Sequence, residues 1–374
     1  MRSRVWAARE PRAHETMYAI HQFVAGFGAG DAISGEARVM RAMFRAWGAD
    51  SEVFSEHERV LPELRGEVHD VRGPAPDVRA ADIAMLHLSV GSPVNDVFAA
   101  LPCRKVIRYH NVTPPDFFAI AQPRIAAELR RGYEQVRALA GAADAVLAVS
   151  EYNARQLREM GYAKVSVLPL ALDLDLLRGP FDAGLSGHLR DGKTNVLFVG
   201  RCAPNKCIED VLCTFAFFQK CAAPSSRLVL AGGHSATRRY YTVLRAMAQR
   251  LGLRNVVFAG AVPQRELNAY YRTAHLFLCM SEHEGFCIPL VESMVHGVPI
   301  VAHAAGAVPE TLAGTGVLVH EKDFELIAEC MRRIVEDKTL QHAIIAAQHR
   351  RLAVLTARDV AAELRGHLAA LPDT

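Results

Sequence analysis

The sequence predicts an α/β protein of two doubly wound domains facing each other across a cleft. Three observations carry that prediction. The chain has 374 residues, too many for one ordinary core and suited to two domains of about 150–200 residues each. Short apolar runs alternate with amphipathic stretches whose apolar residues recur every three or four positions, the mark of strand–helix units in a parallel sheet. That alternation stops at residues 171–193, ALDLDLLRGPFDAGLSGHLRDGK, and then starts afresh. The break is rich in Gly and Asp and carries Pro180, so the linker is placed at 176–193. The N-terminal domain is then 17–175 and the C-terminal domain 194–355. Residues 356–374 form a terminal helix free to pack back on the first domain. Residues 1–16 are Arg-rich but lack the apolar core of a signal peptide, and are read as an extension without assigned function.

Composition narrows the function classes. The apolar fraction is 51%, and no apolar run nears the roughly 20 residues of a membrane span. A formal net charge of +3, with basic residues dispersed and no aromatic platform, argues against a nucleic-acid partner. Eight cysteines without a C-x-x-C pair fit free thiols in a reducing cytoplasm better than a disulfide framework or a zinc site.

In the first domain, Tyr18 to Val24 reads as a strand ending in GFGAGDAISG. Gly26, Gly28 and Gly30 let backbone approach a phosphate closely. Ser34 is the expected N-cap of a helix from about Glu36 to Trp47, with Val39, Met40, Met43 and Phe44 on its apolar side. A dinucleotide fingerprint would want a third glycine where Asp31 stands, which argues against a dehydrogenase. Ser51 to Phe54 is the second strand, and Asp82 to Leu88 a third, followed by the Gly91-Ser92-Pro93 break. Lys105 to His110 is a strand running into YHNVTPPDFF, whose double proline extends the loop. His110 therefore sits at a strand's carboxyl end, where ligands of open α/β sheets gather. Pro123 to Leu139 is an amphipathic helix with Arg124, Arg130, Arg131 and Arg137 mainly off its apolar stripe. A solvated face is the plain reading of those arginines, with peripheral membrane contact the other. Strand 144–149, helix 151–160 and strand 165–168 complete the domain.

The second domain repeats the cycle: strand 195–199, helix 207–219, strand 227–230, helix 237–251, strand 255–259 and helix 264–271. Its first strand leads into Gly200-Arg201-Cys202-Ala203-Pro204-Asn205-Lys206, where Arg201 offers a planar fork for phosphate oxygens and Lys206 a point charge. The stretch around which the chain is organised follows at Ser281–Glu310, SEHEGFCIPLVESMVHGVPIVAHAAGAVPE. After the strand 276–280 comes a polar turn with Glu284, Gly285, Phe286 and Cys287. Pro289 suits the first turn of a helix that carries Glu292 and that Gly297 stops. A helix N-terminus at a parallel strand's carboxyl end is a prepared anion site, because its amides and its dipole both favour phosphate.

That stretch closely resembles the nucleotide-sugar signature of the retaining glycosyltransferases of family GT4, which have the GT-B fold. The likeness covers the E-x7-E pair Glu284 and Glu292, the G-F-x-x-P loop, the H-G-V-P-I-V turn and the A-G-A-V-P-E tail. The segment from Gly200 looks like the family's G-R-x-x-P-x-K-G element, with Cys207 where glycine is usual, and YHNVTP like the motif of one subgroup. The resemblance implies that Gly200, Arg201 and Lys206 hold a nucleoside diphosphate. It implies that Glu284 accepts a donor-sugar hydroxyl, that Glu292 accepts the ribose hydroxyls, and that the N–H groups of Phe286, Cys287 and Ile288, beside Gly285, bind sugar and phosphate. His110 would touch the sugar from the opposite domain, and the loop of Gly28 and Gly30 would approach the diphosphate and the acceptor. It also implies retention of configuration and transfer of a hexose, mannose among the options, to a saccharide or lipid-linked hydroxyl in polysaccharide or glycoconjugate synthesis.

With two cations and a helix terminus for the leaving group, and no D-x-D-like acidic pair placed to hold a metal, neither metal nor cofactor is expected. The base, uracil or guanine, and the oligomeric state stay open. A cytoplasmic enzyme is expected, with peripheral contact at the inner membrane face if the acceptor is lipid-linked. Two other readings stand beside it: a sugar-nucleotide epimerase or phosphorylase on the same fold, and a non-catalytic nucleotide-sugar-binding scaffold.

Overall fold

The computed structural model describes residues 18–28, 30–73 and 77–372; the expected extension at 1–16 lies outside them. In chain order the first domain runs β1 (Ile20–Val24), α1 (Ala32–Ala46), β2 (Val53–Ser55), β3 (His69–Asp70), β4 (Ile83–Leu88), α2 (Pro93–Ala100), β5 (Arg104–Tyr109), α3 (Pro123–Ala138), β6 (Ala145–Ala148), α4 (Glu151–Glu159) and β7 (Ser166–Val167). The described strands form one sheet of seven, ordered β3-β2-β1-β4-β5-β6-β7, with every pair parallel. Helices cover both faces, so the central strands are buried throughout and read as near-continuous apolar runs.

Two elements begin differently from the expectation. Helix α1 starts at Ala32, and its cap is Asp31, whose carboxylate accepts from the Ser34 N–H at 3.0 Å. Ser34 lies inside the first turn and hands its hydroxyl hydrogen to the same carboxylate. The acid that spoils the dinucleotide fingerprint is thus a helix cap. The Gly91-Ser92-Pro93 break opens α2, with Ser92 capping the Val94 N–H at 3.1 Å and Pro93 in the first turn. Helix α3 crosses this loop on glycines: a Cβ at Gly91 would lie 2.6 Å from the Gly132 nitrogen.

The linker is more ordered than its composition suggests. The segment 171–193 holds α5 (Leu174–Arg178) and α6 (Ala183–Leu189), capped by Asp173 and Asp182 on the amides three residues on. Helices this short show no periodicity in sequence; their aspartates were the available signal.

The second domain runs β8 (Thr194–Val199), α7 (Ile208–Phe217), β9 (Ser226–Ala231), α8 (Arg238–Arg250), β10 (Val256–Gly260), α9 (Gln264–Thr273), β11 (Leu276–Cys279), α10 (Ile288–Val295), β12 (Ile300–His303), α11 (Val308–Leu312) and β13 (Val317–Val319). Its described strands form a parallel sheet of six, ordered β10-β9-β8-β11-β12-β13. Helices α12 (Phe324–Glu336) and α13 (Lys338–Ala357) pack on this domain, and α14 (Val360–Ala369) returns to the first. There Leu364 and Leu368 join Ile20, Met40, Phe44, Ile83 and Met85 in one apolar cluster. No described helix is long and apolar enough to cross a membrane.

Candidate functional site

The wall of the cleft on the second domain is built from backbone. Strand β8 delivers Gly200, which β9 approaches so closely that a Cβ at Gly232 would lie 1.9 Å from the Gly200 oxygen. The loop after Gly200 is tied to the loop after β11: Glu282 N–H donates to Asn205 O at 3.0 Å, and Asn205 Nδ2 to His283 O at 3.2 Å. Two side chains of this platform have different fates. Lys206 Nζ donates to Glu284 Oε1 at 2.7 Å. Burial alone would lower the Lys206 pKa, but the Glu284 charge beside it overrides that and raises it. Arg201 is exposed and has no hydrogen-bond or ion-pair partner among the described residues, so its five donors are available to a ligand.

The Glu284 loop is clamped from behind. Ala307 N–H donates to Glu284 O at 2.9 Å, and Thr311 Oγ1 to Phe286 O at 2.6 Å. Gly306, at φ +58°, lets the two backbones touch, since a Cβ there would lie 2.5 Å from Glu284 O. Cys287 then turns the chain through the left-handed region, at φ +67°, and α10 begins without a side-chain cap. Among the described residues the N–H groups of Phe286, Cys287 and Ile288 meet no acceptor. They are open donors at a helix N-terminus, the arrangement that binds anions. Farther along α10, Glu292 is 8% exposed and accepts from the Tyr271 hydroxyl at 2.6 Å. Burial raises its pKa.

The opposite wall is built from side chains. His110 follows β5, with its ring packed 5.2 Å from that of His87 on β4. His110 Nε2 lies 2.9 Å from His87 Nδ1 and 3.4 Å from Glu36 Oε2. Arg108 on β5 donates to Glu36 Oε1 at 2.7 Å, so the Glu36 charge is matched in the core. Gln22, His87 and Arg108 belong to three neighbouring strands, and the register Val24↔His87↔Arg108 puts them on one sheet face, against α1. Burial pushes the His87 pKa down to about 3, with the His110 and Arg108 charges acting the same way. Burial, then Arg108, holds His110 well below the usual histidine range. Both rings are neutral at pH 7.

The walls touch. A Cβ on Gly285 would lie 2.6 Å from His110 O and 3.0 Å from Asn111 Cβ, so only glycine admits this approach. Asn111, at φ +86°, bonds His283 across the cleft at 3.0 Å and Asn153 at 2.8 Å. Ser150 Oγ donates to Gly285 O at 2.7 Å. The Glu310 carboxylate caps α4, accepting from Glu151 and Tyr152 N–H at 2.8 and 3.0 Å.

The structure thus brings His110, Lys206, Glu284 and Gly285 together, with Phe286, Cys287 and Ile288 behind them and Gly200 and Arg201 at the adjoining strand end. Gly28 and Gly30 lie after β1, beside the strand that carries His87. Gly30 takes φ +68°, while the Gly28 N–H is already engaged by Ser34 Oγ at 3.0 Å. Residues that reading the sequence missed are Gln22, Glu36, His87, Arg108, Tyr271, His283 and Glu310. For the strand members the signal was there: a polar side chain amid an otherwise apolar buried strand.

Among the described residues, three groups hold potential metal-ligating atoms within 4.8 Å of one another: Glu36–His87–His110, Cys279–Glu284–Cys287 and Cys207–Asp210–Glu282. Each already has a cation beside it. Arg108 neutralises Glu36, Lys206 neutralises Glu284, and Lys322 bridges Asp210 and Glu282. The donor sets fit internal ion pairs.

Two facing parallel-sheet α/β domains with this cleft define a GT-B fold, and solved structures agree. A sucrose-phosphate synthase from Thermosynechococcus elongatus superposes with a TM-score of 0.73 at 18% identity, covering 94% of this chain and 99% of the other. The Anabaena protein Alr3699/HepE, solved with UDP and glucose, gives 0.72 at 18% identity, covering 95% and 100%. Residues 186–351 match the family model described as glycosyl transferases group 1. A D-inositol 3-phosphate glycosyltransferase of Nocardiopsis dassonvillei is 34% identical over 230 residues, 58% of this chain and 52% of the relative. That of Segniliparus rotundus is 32% identical over 161 residues, 42% and 36%. The chain spans about half or less of the length of the curated relatives it matches.

Proposed function

We propose that this protein transfers a hexosyl group from a nucleoside-diphosphate sugar to a hydroxyl of a saccharide or lipid-linked acceptor, with retention of configuration and without metal or cofactor. The observation that carries the reading is the meeting of open backbone donors and a lysine–glutamate pair on one wall with a neutral histidine on the other. When the diphosphate leaves, negative charge grows on its bridging oxygen. Arg201, Lys206 and the amides at the start of α10 are preorganised to take that charge. Lys206 already faces Glu284, so a diphosphate shares it rather than recruiting it. Glu284 accepts a donor-sugar hydroxyl, and Glu292, held by Tyr271, accepts the ribose hydroxyls. His110 meets the sugar from the opposite wall, while the backbone at Gly28 and Gly30 lies toward the diphosphate and acceptor. The likeness to a protein solved with UDP and glucose supports a UDP-linked donor beside a GDP-linked one. Mannose or another hexose, polysaccharide or glycoconjugate synthesis, and a cytoplasmic site with contact at the inner membrane face belong to the same reading.

A thermal-shift screen with UDP, GDP, ADP and dTDP, with and without Mg²⁺, tests it. A ligand at about 100 times its dissociation constant adds about 2.7 kcal/mol of apparent stability. One diphosphate stabilising without Mg²⁺ is the expected result. No shift with any of them removes the nucleotide-sugar reading. Donor conversion without acceptor would favour the epimerase alternative, and binding without turnover the scaffold.

A further inference from the structure

We infer that Gln22, His87 and Glu36 are positioning residues that fix the tautomer of His110, so that its ring offers the cleft an acceptor and never a donor. The inference rests on the reading above, in which His110 meets the donor sugar.

The chain of hydrogens starts at a backbone carbonyl in α1. Ala37 O can only accept, and Gln22 Nε2 donates to it at 3.0 Å. That fixes the Gln22 amide with its oxygen facing His87 Nε2, at 2.9 Å. The oxygen can only accept, so His87 carries its hydrogen on Nε2. His87 is fully buried beside the Arg108 cation, where a second proton is excluded, so its Nδ1 keeps a lone pair. His110 Nε2 stands 2.9 Å from that lone pair and must carry a hydrogen to bond it.

Glu36 reinforces that demand from farther away. Its carboxylate, paired with Arg108 and accepting from the Ala171 N–H at 3.1 Å, faces His110 Nε2 at 3.4 Å. Two acceptors therefore converge on one ring nitrogen. A neutral ring with its hydrogen on Nε2 has its lone pair on Nδ1. That atom has no partner among the described residues, and it is absent from the buried polar atoms left unsatisfied, so it is open to the cleft.

The chemistry follows from that lone pair. A hydroxyl of the donor sugar donates to Nδ1. As the sugar gains oxocarbenium character, the neutral ring adds no repulsive charge, and with its hydrogen turned away it cannot protonate the leaving group. His110 is thereby a specificity element for a hydroxyl, and Gln22 and His87, from outside the site, set its polarity.

The test needs no ligand. Long-range ¹H–¹⁵N correlation spectra of the ¹⁵N-histidine-labelled full chain, with His110→Gln for assignment, report which ring nitrogen carries the hydrogen. The expected result is His110 protonated on Nε2. In Gln22→Met, which keeps the volume and removes the acceptor, a population protonated on Nδ1 rises. His87→Asn, which keeps an acceptor oxygen near the place of Nδ1, retains the wild-type tautomer. His110 protonated on Nδ1 in the wild type, or a tautomer unmoved in Gln22→Met, overturns the proposal. With a UDP- or GDP-hexose that the wild type turns over, kcat/KM of Gln22→Met falls about tenfold, the worth of one hydrogen bond. A wild type without any transfer would count against the proposed function and leave the tautomer result standing.

Discussion

The two walls of the cleft solve one problem with opposite means. The second-domain wall is short-range: Glu284, Gly285, Phe286, Cys287 and Ile288 are consecutive, and their working groups are largely backbone N–H. The first-domain wall is long-range. Glu36 and Arg108 pair across 72 positions, and Gln22 reaches His87 across 65. Its working groups are side chains from three strands and a helix, buried in an apolar core. Backbone donors cannot be removed by most substitutions, so the second-domain wall is robust. A buried polar network fails when any member is left unpaired, so the first-domain wall is fragile.

That contrast sets the expected effects. The largest is on stability. Glu36→Ala strands Arg108, fully buried, without its charge partner, and the loss expected is about 3–5 kcal/mol in urea unfolding. A loss under about 1 kcal/mol would mean that the network behaves as a surface pair does. Next comes Glu284→Ala on the other wall. Transfer should fall about 100- to 1,000-fold, as for one preorganised group aimed at the transition state. Fold and nucleoside-diphosphate binding should persist, because the amides and Arg201 remain. Unimpaired transfer would take Glu284 out of the site.

The smallest effect is a slope with pH. The His87 pKa falls from near 6.5 unfolded to about 3 folded. Below pH 6.5 the unfolded chain therefore binds a proton that the folded chain refuses. The stability contribution is whole above that pH and shrinks as pH falls, by about 1.4 kcal/mol per pH unit. His283, brought down to about 4 chiefly by burial, acts in the same direction. Denaturant midpoints at pH 7, 6 and 5 should show a shallower slope in His87→Asn than in the wild type. Equal slopes would assign the pH dependence to other groups.

Most of the fold was legible because strand and helix periods are local properties. Each major strand and helix expected in the second domain is present within a few residues of its expected ends. The Glu284–Glu292 stretch was legible for the same reason: a glycine, a proline and two acids at set spacing decide the turn, the open amides and the helix start within a dozen residues. The short capped helices of the linker and the Asp31 cap were less so, because one aspartate is a weak signal and Ser34 competed with it.

What the chain alone could not decide is which distant groups meet. Gly285 was expected beside the sugar- and phosphate-binding amides, but that His110 O stands against it from the other domain is seen only in the fold. Lys206 and Glu284 looked like separate ligands for phosphate and sugar, and folding pairs them. Gln22, His87 and Arg108 lie far apart in sequence on three strands, and only the parallel register lines them up under α1. Local patterns are written in the chain because backbone geometry reads neighbours three or four residues apart. Contacts over 65 or 72 positions depend on strand order and register, which the packing of whole domains decides.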